Sequence, residues 1–256
     1  MITGAREKNL FEAADTLVNA RRTHSPIAEL PADLQPTSLE EAALVHRHIA
    51  EAYGEIGGWK IGAPTADAIP FFAPMPRAWM ASSGAILYGQ TYRYRVLEAE
   101  IAFCLGSDLP PRAQPYSRDE VLAAVASCHP VIEELESGLI DPKAANNFSA
   151  LADLQMHGAF IYGPAYADWR SLDFSQESVT LSVNGVVQVE RTGSNTSGDL
   201  LRLLPYLANE GAARTGGLRA GQWITTGSWT GNTPAPPNST AEARFAHAGV
   251  VSFRFA

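Results

Sequence analysis

The stretch that most constrains the fold of this chain is the run 96–105, because it has the composition of a buried strand and yet carries two acids. It is short, mostly apolar and free of Gly and Pro, which indicates a β-strand. Side chains of a strand alternate between two faces, so Glu98 and Glu100 point the same way. Adjacent buried carboxylates repel each other and are costly to desolvate, so we expect a cation to neutralise them.

A hard divalent cation would fill that role, because Mg²⁺, Mn²⁺ and Ca²⁺ prefer oxygen ligands. The alternative is a solvated edge strand with two exposed glutamates, and a Glu-x-Glu pattern alone favours that alternative. A third acid bears on the choice. Strand periodicity in 129–136 puts Glu133 on one face with Val131 and Leu135, although an acidic cluster at a loop edge would also explain this segment.

Lys60 is the candidate for handling a proton. The lysines of the chain are Lys8, Lys60 and Lys143, although lysine and arginine together number 19. Lys60 has apolar neighbours, and a buried lysine can shift its pKa and exchange a proton, which arginine cannot. The alternative is a strand lysine whose stem is buried and whose ammonium reaches solvent. Three carboxylates would hold a cation with coordination positions left open for the carboxylate and keto oxygens of a 2-oxo acid. A lysine beside them would attract this anion and could transfer a proton.

Composition and charge argue against several classes of protein. With 256 residues, 46% hydrophobic and 18% charged, the chain has the profile of a soluble protein of one or two domains. The net charge of −8 argues against nucleic acid or an anionic membrane as a partner. The sequence shows no membrane span and no signal peptide, and Cys104 and Cys128 are interpreted as free core thiols. We therefore predict a cytoplasmic location.

Apolar residues at spacings of three and four predict helices over 5–23 and 39–53. Ser38, followed three residues later by Glu41, predicts a capping box at the start of the second helix. Further helices are predicted over 117–127, over 146–157 and from Ser197 or Asp199 to Asn209, the last with a kink or break at Pro205.

Strands dominate the chain after residue 60. Asn184-Gly185 between two apolar runs predicts a hairpin with a type I′ turn, and the Pro-rich segment 63–83 is predicted to be a long irregular loop. Strands and helices do not alternate regularly, which argues against a doubly wound parallel sheet, and we predict an α+β fold with a rolled or barrel-like mixed sheet. We divide the chain into a helical N-terminal region, 1–55, packed on the main body, and a catalytic domain, 56–256.

Motifs for nucleotide binding, serine hydrolysis and zincin chemistry are absent from the sequence, and neither His129 nor His157 is assigned a role. Four segments in this order instead resemble the fumarylacetoacetate hydrolase superfamily: 58–62, 98–103, 130–133 and 227–231. Within it they most resemble the branch of 2-oxopent-4-enoate hydratases and 4-oxalocrotonate decarboxylases. The similarity runs with gaps from about Gly58 to Phe255, and the helical N-terminal region fits this branch in length.

The resemblance implies a mixed β-sandwich roll with a helical N-terminal region, assembled into homo-oligomers. It implies Mg²⁺ or Mn²⁺ bound by Glu98, Glu100 and Glu133, with Lys60 close to the substrate. It also implies chemistry on unsaturated 2-oxo acids of aromatic catabolism.

We predict a metal-dependent lyase that hydrates 2-hydroxypenta-2,4-dienoate to 4-hydroxy-2-oxopentanoate. Decarboxylation of the 4-oxalocrotonate type and C–C hydrolysis of acylpyruvates on the same metal site remain alternatives. So does a non-catalytic subunit in complex with a related decarboxylase or an aldolase.

Lys60 and Glu133 are the predicted catalytic residues, and Ser149, Ser228 and Thr230 are predicted to contact the oxygens of the substrate. The chain departs from the pattern of the family at several places, among them the Gly-rich segment 193–200 and three single positions. Gly138 stands where relatives of this branch carry an Arg, Asn146 replaces the Asp of an Asp-Asn pair, and Asn238 replaces the Gly of a late Pro-Gly-Asp turn.

Overall fold

The computed structural model describes residues 2, 4–89 and 91–256. Its α-helices are α1 (Ala5–Arg22), α2 (Leu39–Ala52), α3 (Arg118–Ala123), α4 (Asn147–Ala152), α5 (Leu203–Asn209) and α6 (Ala212–Thr215). Its strands are β1 (Ile56–Gly62), β2 (Phe71–Pro76), β3 (Met80–Ser82), β4 (Ala85–Leu87), β5 (Val96–Leu105), β6 (Val125–Leu135), β7 (His157–Tyr162), β8 (Ser178–Val183), β9 (Val186–Thr192), β10 (Trp223–Thr225), β11 (Thr233–Pro234), β12 (Thr240–Phe245) and β13 (Gly249–Phe255).

The strands of the described residues form two mixed sheets. The first has the order β2-β1-β10-β5-β6-β7-β3, with β11 also paired to β5, and the second has the order β4-β13-β12-β8-β9. In the first sheet β1 runs parallel to β10, whereas β5 is antiparallel to both β10 and β6. The chain is therefore a mixed α and β protein with few helices.

The two faces of β5 serve different purposes. Ala99 and Ile101 belong to a large apolar cluster that also contains Leu181 of β8, so one face of the first sheet and the second sheet share a core. Because side chains alternate along a strand, Glu98 and Glu100 lie on the opposite face. That face is where the candidate site is found.

Two local predictions are confirmed in the strand-rich part. Asn184 and Gly185 have φ values of 51° and 75°, and a pair of positive φ angles at the tip of a hairpin is the geometry of a type I′ turn. Ser117 and Glu120 form a complete capping box at the start of α3. The helix is shorter than predicted, because β6 begins at Val125.

Helix α2 begins at the predicted cap, but its capping box is incomplete. The Ser38 hydroxyl accepts the Glu41 N–H at 3.2 Å. The Glu41 carboxylate accepts the Thr37 N–H at 2.7 Å and is paired with Arg6 of α1, and the Arg6 guanidinium lowers the pKa of Glu41 to about 2. Glu41 therefore links the first two helices instead of closing the cap.

The prediction of an irregular loop over 63–83 is wrong in its second half. Residues 71–76 form β2, which pairs with β1, and residues 80–82 form β3. Pro74 and Pro76 are tolerated because β2 is the edge strand of its sheet, and an edge strand has one side on which no N–H donor is required.

The predicted helix over 146–157 is present only in its first half. Helix α4 ends at Ala152, and the next residues enter a left-handed conformation, with φ values of 54° at Leu154, 51° at Gln155 and 64° at Met156. None of these is glycine, so the sequence gives no local signal for this turn.

The helix predicted to end at Asn209 begins with a cap at Asp199, whose carboxylate accepts the Leu201 N–H at 3.1 Å. A short 3₁₀ turn, Leu200–Arg202, precedes α5. Pro205 does not break the helix, because it falls in the first turn of α5, where N–H groups have no partner within the helix.

Helices α1 and α2 share an apolar cluster with Leu139, Ala152 and Leu154, which come from later in the chain. Both cysteines, Cys104 and Cys128, are free thiols, as the sequence predicts. Among the described residues, no helix has the length and apolar character needed to cross a bilayer.

Arg21, in the last turn of α1, makes the charged contact between the first helix and the segment after α4. Its Nε atom lies 2.6 Å from Oδ1 of Asp153, and the two side chains are 6% and 0% exposed. Its other nitrogens donate to the main-chain oxygens of Glu136 and His157 at 2.9 Å and of Asp153 at 3.1 Å. The guanidinium therefore uses four of its five N–H donors in these contacts.

We expect Arg21→Met to lower the free energy of unfolding by about 3–5 kcal/mol, because it would leave the Asp153 carboxylate buried without its cation. Arg47→Met is the matched control. Arg47 forms a pair with Glu51 on the surface of α2, with both side chains 52% exposed, so its loss should cost less than about 0.5 kcal/mol. Urea denaturation measures both, and equal losses would contradict the prediction.

Candidate metal centre

Three acids meet on the face of the first sheet that points away from the second sheet. Glu98 of β5 is directly opposite Glu133 of β6 in the antiparallel register, and Glu100 follows two residues along the same face. One carboxylate oxygen from each of the three lies within 4.8 Å of the others. The pairing of β5 with β6 therefore brings together the three acids that the sequence singled out.

Glu100 is held by donors from β10 and the turn after it. The Thr225 hydroxyl donates to Oε2 of Glu100, and the Gly227 N–H donates to the same oxygen at 3.0 Å. Burial raises the pKa of Glu100 well above its ordinary value, and the nearby charges of Glu133 and Glu98 raise it further. A cation between these acids would favour the ionised form.

Glu133 is fully buried, yet of the three acids it has the neighbours that most stabilise its ionised form. Its Oε1 atom accepts from Nζ of Lys60 at 2.6 Å and lies 2.8 Å from Nδ1 of His157. Burial alone would raise the pKa of Glu133, but the Lys60 charge and the His157 hydrogen bond outweigh burial and lower it. Its Oε2 atom is buried without a hydrogen-bond partner among the described residues, so it is free to bind a cation.

Lys60 reaches this acid from β1, where it is in register with Thr225 of β10. Its Nζ atom also donates to the main-chain oxygen of Gln155 at 3.1 Å. Burial disfavours the ammonium, but the charges of Glu133 and Glu98 outweigh it and raise the pKa of Lys60. The backbones of β1 and β10 lie close together at Gly58, where an added Cβ atom would be 2.3 Å from the Trp223 carbonyl oxygen. This close approach fixes the position of the strand that carries Lys60.

Glu98 is the acid most open to the cavity. Burial raises the pKa of Glu98, and this effect outweighs the opposing charge of Lys60. Glu98, Glu100 and Lys60 line a cavity of about 640 Å³. The carboxylate oxygens, including the unpartnered oxygen of Glu133, form a donor set that fits a hard divalent cation such as Mg²⁺ or Mn²⁺.

Of the remaining predicted site residues, two line the cavity and one does not. Ser228 and Thr230 line the cavity. The Thr230 hydroxyl oxygen accepts the Ala99 N–H at 3.0 Å, so part of its capacity is already used. Ser149 is not among the residues that line the cavity, which corrects its prediction: it is fully buried in α4, a helix that packs on α2.

Sequence reasoning missed two residues that line the cavity and two that support the acids from behind it. His157, which the sequence left without a role, orients Glu133 through the ring nitrogen Nδ1. Gln155 and Arg191 line the cavity but belong to no motif, so only the path of the chain places them there. Asn195 is nearly buried, and its amide donates to the main-chain oxygens of Thr226 at 2.9 Å and Gly227 at 3.0 Å, next to the N–H that supports Glu100.

The departures from the family pattern have structural correlates. A Cβ at Gly138 would lie 3.2 Å from the Leu17 carbonyl oxygen, so this residue packs tightly against α1. Asn146 caps α4, with its side-chain oxygen accepting the Phe148 N–H at 2.9 Å. Asn238 is exposed and has a φ of 58°, a conformation that asparagine tolerates better than most residues.

We expect Thr225→Val to weaken the binding of Mn²⁺ by about 10-fold, because residues that orient a ligating carboxylate typically contribute 10- to 100-fold to metal affinity. Thr226→Val is the control, since this neighbouring buried hydroxyl donates to the Ile101 carbonyl and not to an acid. Titration calorimetry of the metal-stripped variants measures the affinity. Equal effects of the two substitutions would contradict a role for Thr225 in supporting the site.

Two curated relatives resemble this chain. One is a 2-hydroxyhexa-2,4-dienoate hydratase of Comamonas testosteroni, 28% identical over 97% of this chain and 95% of its own length. The other is a 4-oxalocrotonate decarboxylase of Pseudomonas sp. (strain CF600), 30% identical over 62% of this chain and 59% of its own length.

A solved structure has the same overall fold. It is a 4-oxalocrotonate decarboxylase from Pseudomonas putida G7 in complex with magnesium and adipate, with a TM-score of 0.85, 25% identity and coverage of 100% of both chains. The fumarylacetoacetate (FAA) hydrolase C-terminal family matches residues 45–254, which contain all three acids and Lys60. The chain therefore belongs to the fumarylacetoacetate hydrolase family.

Proposed function

We propose that this protein is a divalent-metal-dependent lyase that acts on unsaturated 2-oxo acids, and that its reaction is the hydration of 2-hydroxypenta-2,4-dienoate to 4-hydroxy-2-oxopentanoate. The observation that carries the proposal is the cluster of three carboxylates, with a buried lysine, at the wall of a cavity large enough for such an acid. The relative that aligns along nearly the whole chain is named a hydratase of a closely related dienoate.

Glu98, Glu100 and Glu133 would hold Mg²⁺ or Mn²⁺. When bound, the cation would act as a Lewis acid that polarises the oxygens of a 2-oxo acid. Lys60 neutralises Glu133 and offers a positive charge to an anionic substrate, and its ammonium is a proton donor in the reaction. Ser228 and Thr230 offer hydroxyl groups to the oxygens of the substrate.

Decarboxylation is the second candidate, and one observation favours it. Arg191 lines the cavity, and the only hydrogen bond of its side chain within the described residues runs from Nη1 to the Glu190 carbonyl oxygen at 2.8 Å. This guanidinium is available to a second carboxylate, which 4-oxalocrotonate has and the dienoate lacks. Release of CO₂ from 4-oxalocrotonate by the purified protein would identify this reaction.

We also propose that residues 1–55 form a helical region packed on a β-sandwich roll, 56–256. The apolar cluster shared by α1, α2 and later residues supports the first part, and the core shared by the two sheets supports the second. Homo-oligomeric assembly and a cytoplasmic location are further proposals, which rest on the sequence.

We expect EDTA to abolish the loss of the dienol absorbance of 2-hydroxypenta-2,4-dienoate, and Mg²⁺ to restore it. Glu98→Gln combined with Glu100→Gln should lower kcat/KM by about 1,000-fold, because Lewis-acid stabilisation contributes several kcal/mol. The same double variant should lose Mn²⁺ binding in calorimetry. Intact activity and metal affinity in the double variant would refute the assignment of these acids.

We expect Lys60→Met to lower kcat by about 100-fold or more, the usual size of a general acid contribution. Lys143→Met is the control, because Lys143 is exposed and outside the cavity, and its activity should equal that of the wild type. The dienol assay measures both variants, and circular dichroism checks that Lys60→Met is folded. Equal activity of a folded Lys60→Met variant would exclude the proton-donating role.

A further inference from the structure

The turn after α4 holds three consecutive non-glycine residues in the left-handed region. The φ values are 54° at Leu154, 51° at Gln155 and 64° at Met156. This conformation is unfavourable for residues with a Cβ atom, and it persists only where the surroundings enforce it. Such strain is concentrated at active sites, ligand clamps and switch regions.

Buried polar contacts at both ends of this turn enforce its conformation. Asp153, at its start, is fully buried, and its Oδ2 atom accepts from the Ser137 hydroxyl at 2.6 Å and the Gly138 N–H at 2.7 Å. Its Oδ1 atom is paired with Arg21, which also donates to main-chain oxygens on both sides of the turn, those of Asp153 and His157. The turn is therefore fixed at both ends by α1.

The fixed turn places Gln155 at the cavity wall. Its main-chain oxygen accepts from Lys60, and its side chain lines the cavity beside the candidate metal centre. Its carboxamide oxygen is buried and has no hydrogen-bond partner among the described residues. A buried polar atom without a partner is costly, and a ligand in the cavity would remove that cost.

We propose that Gln155 contacts the substrate, with its carboxamide hydrogen-bonded to a hydroxyl group, and that the left-handed turn held by Arg21 and Asp153 serves to aim it. A carboxamide both accepts and donates, which matches a hydroxyl group that does the same. Hydration introduces such a hydroxyl at C4 of the product. This inference rests on the proposed function.

The first test is Gln155→Met, which keeps the length, the Cβ atom and the main-chain contact to Lys60 but removes the carboxamide. We expect kcat/KM for the dienol to fall about 10-fold, with the unfolding temperature unchanged or higher, because the lost oxygen has no partner in the free protein. A purely structural role for Gln155 would instead lower the unfolding temperature and leave KM and kcat alone.

The second test is Gln155→Gly, which relieves the left-handed strain and also removes the side chain. The unfolding temperature should not fall and should rise by up to about 3 °C, while kcat/KM falls as in the Met variant. Asn238→Gly is the matched control, since Asn238 is also left-handed but is exposed and lies outside the cavity. It should show a smaller gain in unfolding temperature, because asparagine tolerates the left-handed conformation better than glutamine, with unchanged activity.

Calorimetry on the Mg²⁺-loaded protein separates this inference from the proposed function. Gln155→Met should bind 4-hydroxy-2-oxopentanoate about 5- to 10-fold more weakly than the wild type and bind 2-oxopentanoate, which lacks the hydroxyl, equally well. Equal affinity of wild type and variant for both acids would overturn the role of Gln155 alone. A wild-type protein that neither binds these acids nor converts the dienol would refute the proposed function, and the inference with it.

Discussion

The burial of three carboxylates around one lysine is the interaction on which the rest of the structure depends. Glu98, Glu100 and Glu133 lie on one face of a sheet, and buried like charges this close are unfavourable unless donors and cations surround them. Lys60 supplies one charge, and Thr225 with the turn after it supplies hydrogen bonds. These groups meet because their strands are neighbours in the sheet, in the order β1, β10, β5, β6. Strand β1 contributes the lysine, β10 the threonine, and β5 and β6 the acids.

The N-terminal helices contribute to the same site without entering the cavity. Arg21 of α1 binds Asp153 and the main chain around it, and so holds the turn whose main-chain oxygen meets Lys60. The pair is almost fully buried, which makes its loss costly both to stability and to the geometry of the site. The stability of the first helix and the position of the cavity residues are thus coupled through one guanidinium.

Sequence patterns predicted those parts of the structure whose cause is local. The period of two along β5 placed Glu98 and Glu100 on one face, and Asn184-Gly185 fixed a hairpin. The predictions that were wrong depend on contacts between residues far apart in the sequence. Pro74 is acceptable in a strand because β2 is an edge, and Ser149 is withdrawn from the cavity because α4 packs on α2. Neither fact can be read from neighbouring residues.

By itself, the sequence determined the donor types of the site and the face on which the acids lie, because residue identity and strand periodicity are local properties. Only the tertiary structure decided which strands pair, and therefore that Glu133 stands opposite Glu98 and that Lys60 reaches Glu133. It also decided the left-handed path at Gln155. No residue in that turn favours this conformation, and contacts from distant parts of the chain, the buried pair of Arg21 and Asp153 among them, hold it in place.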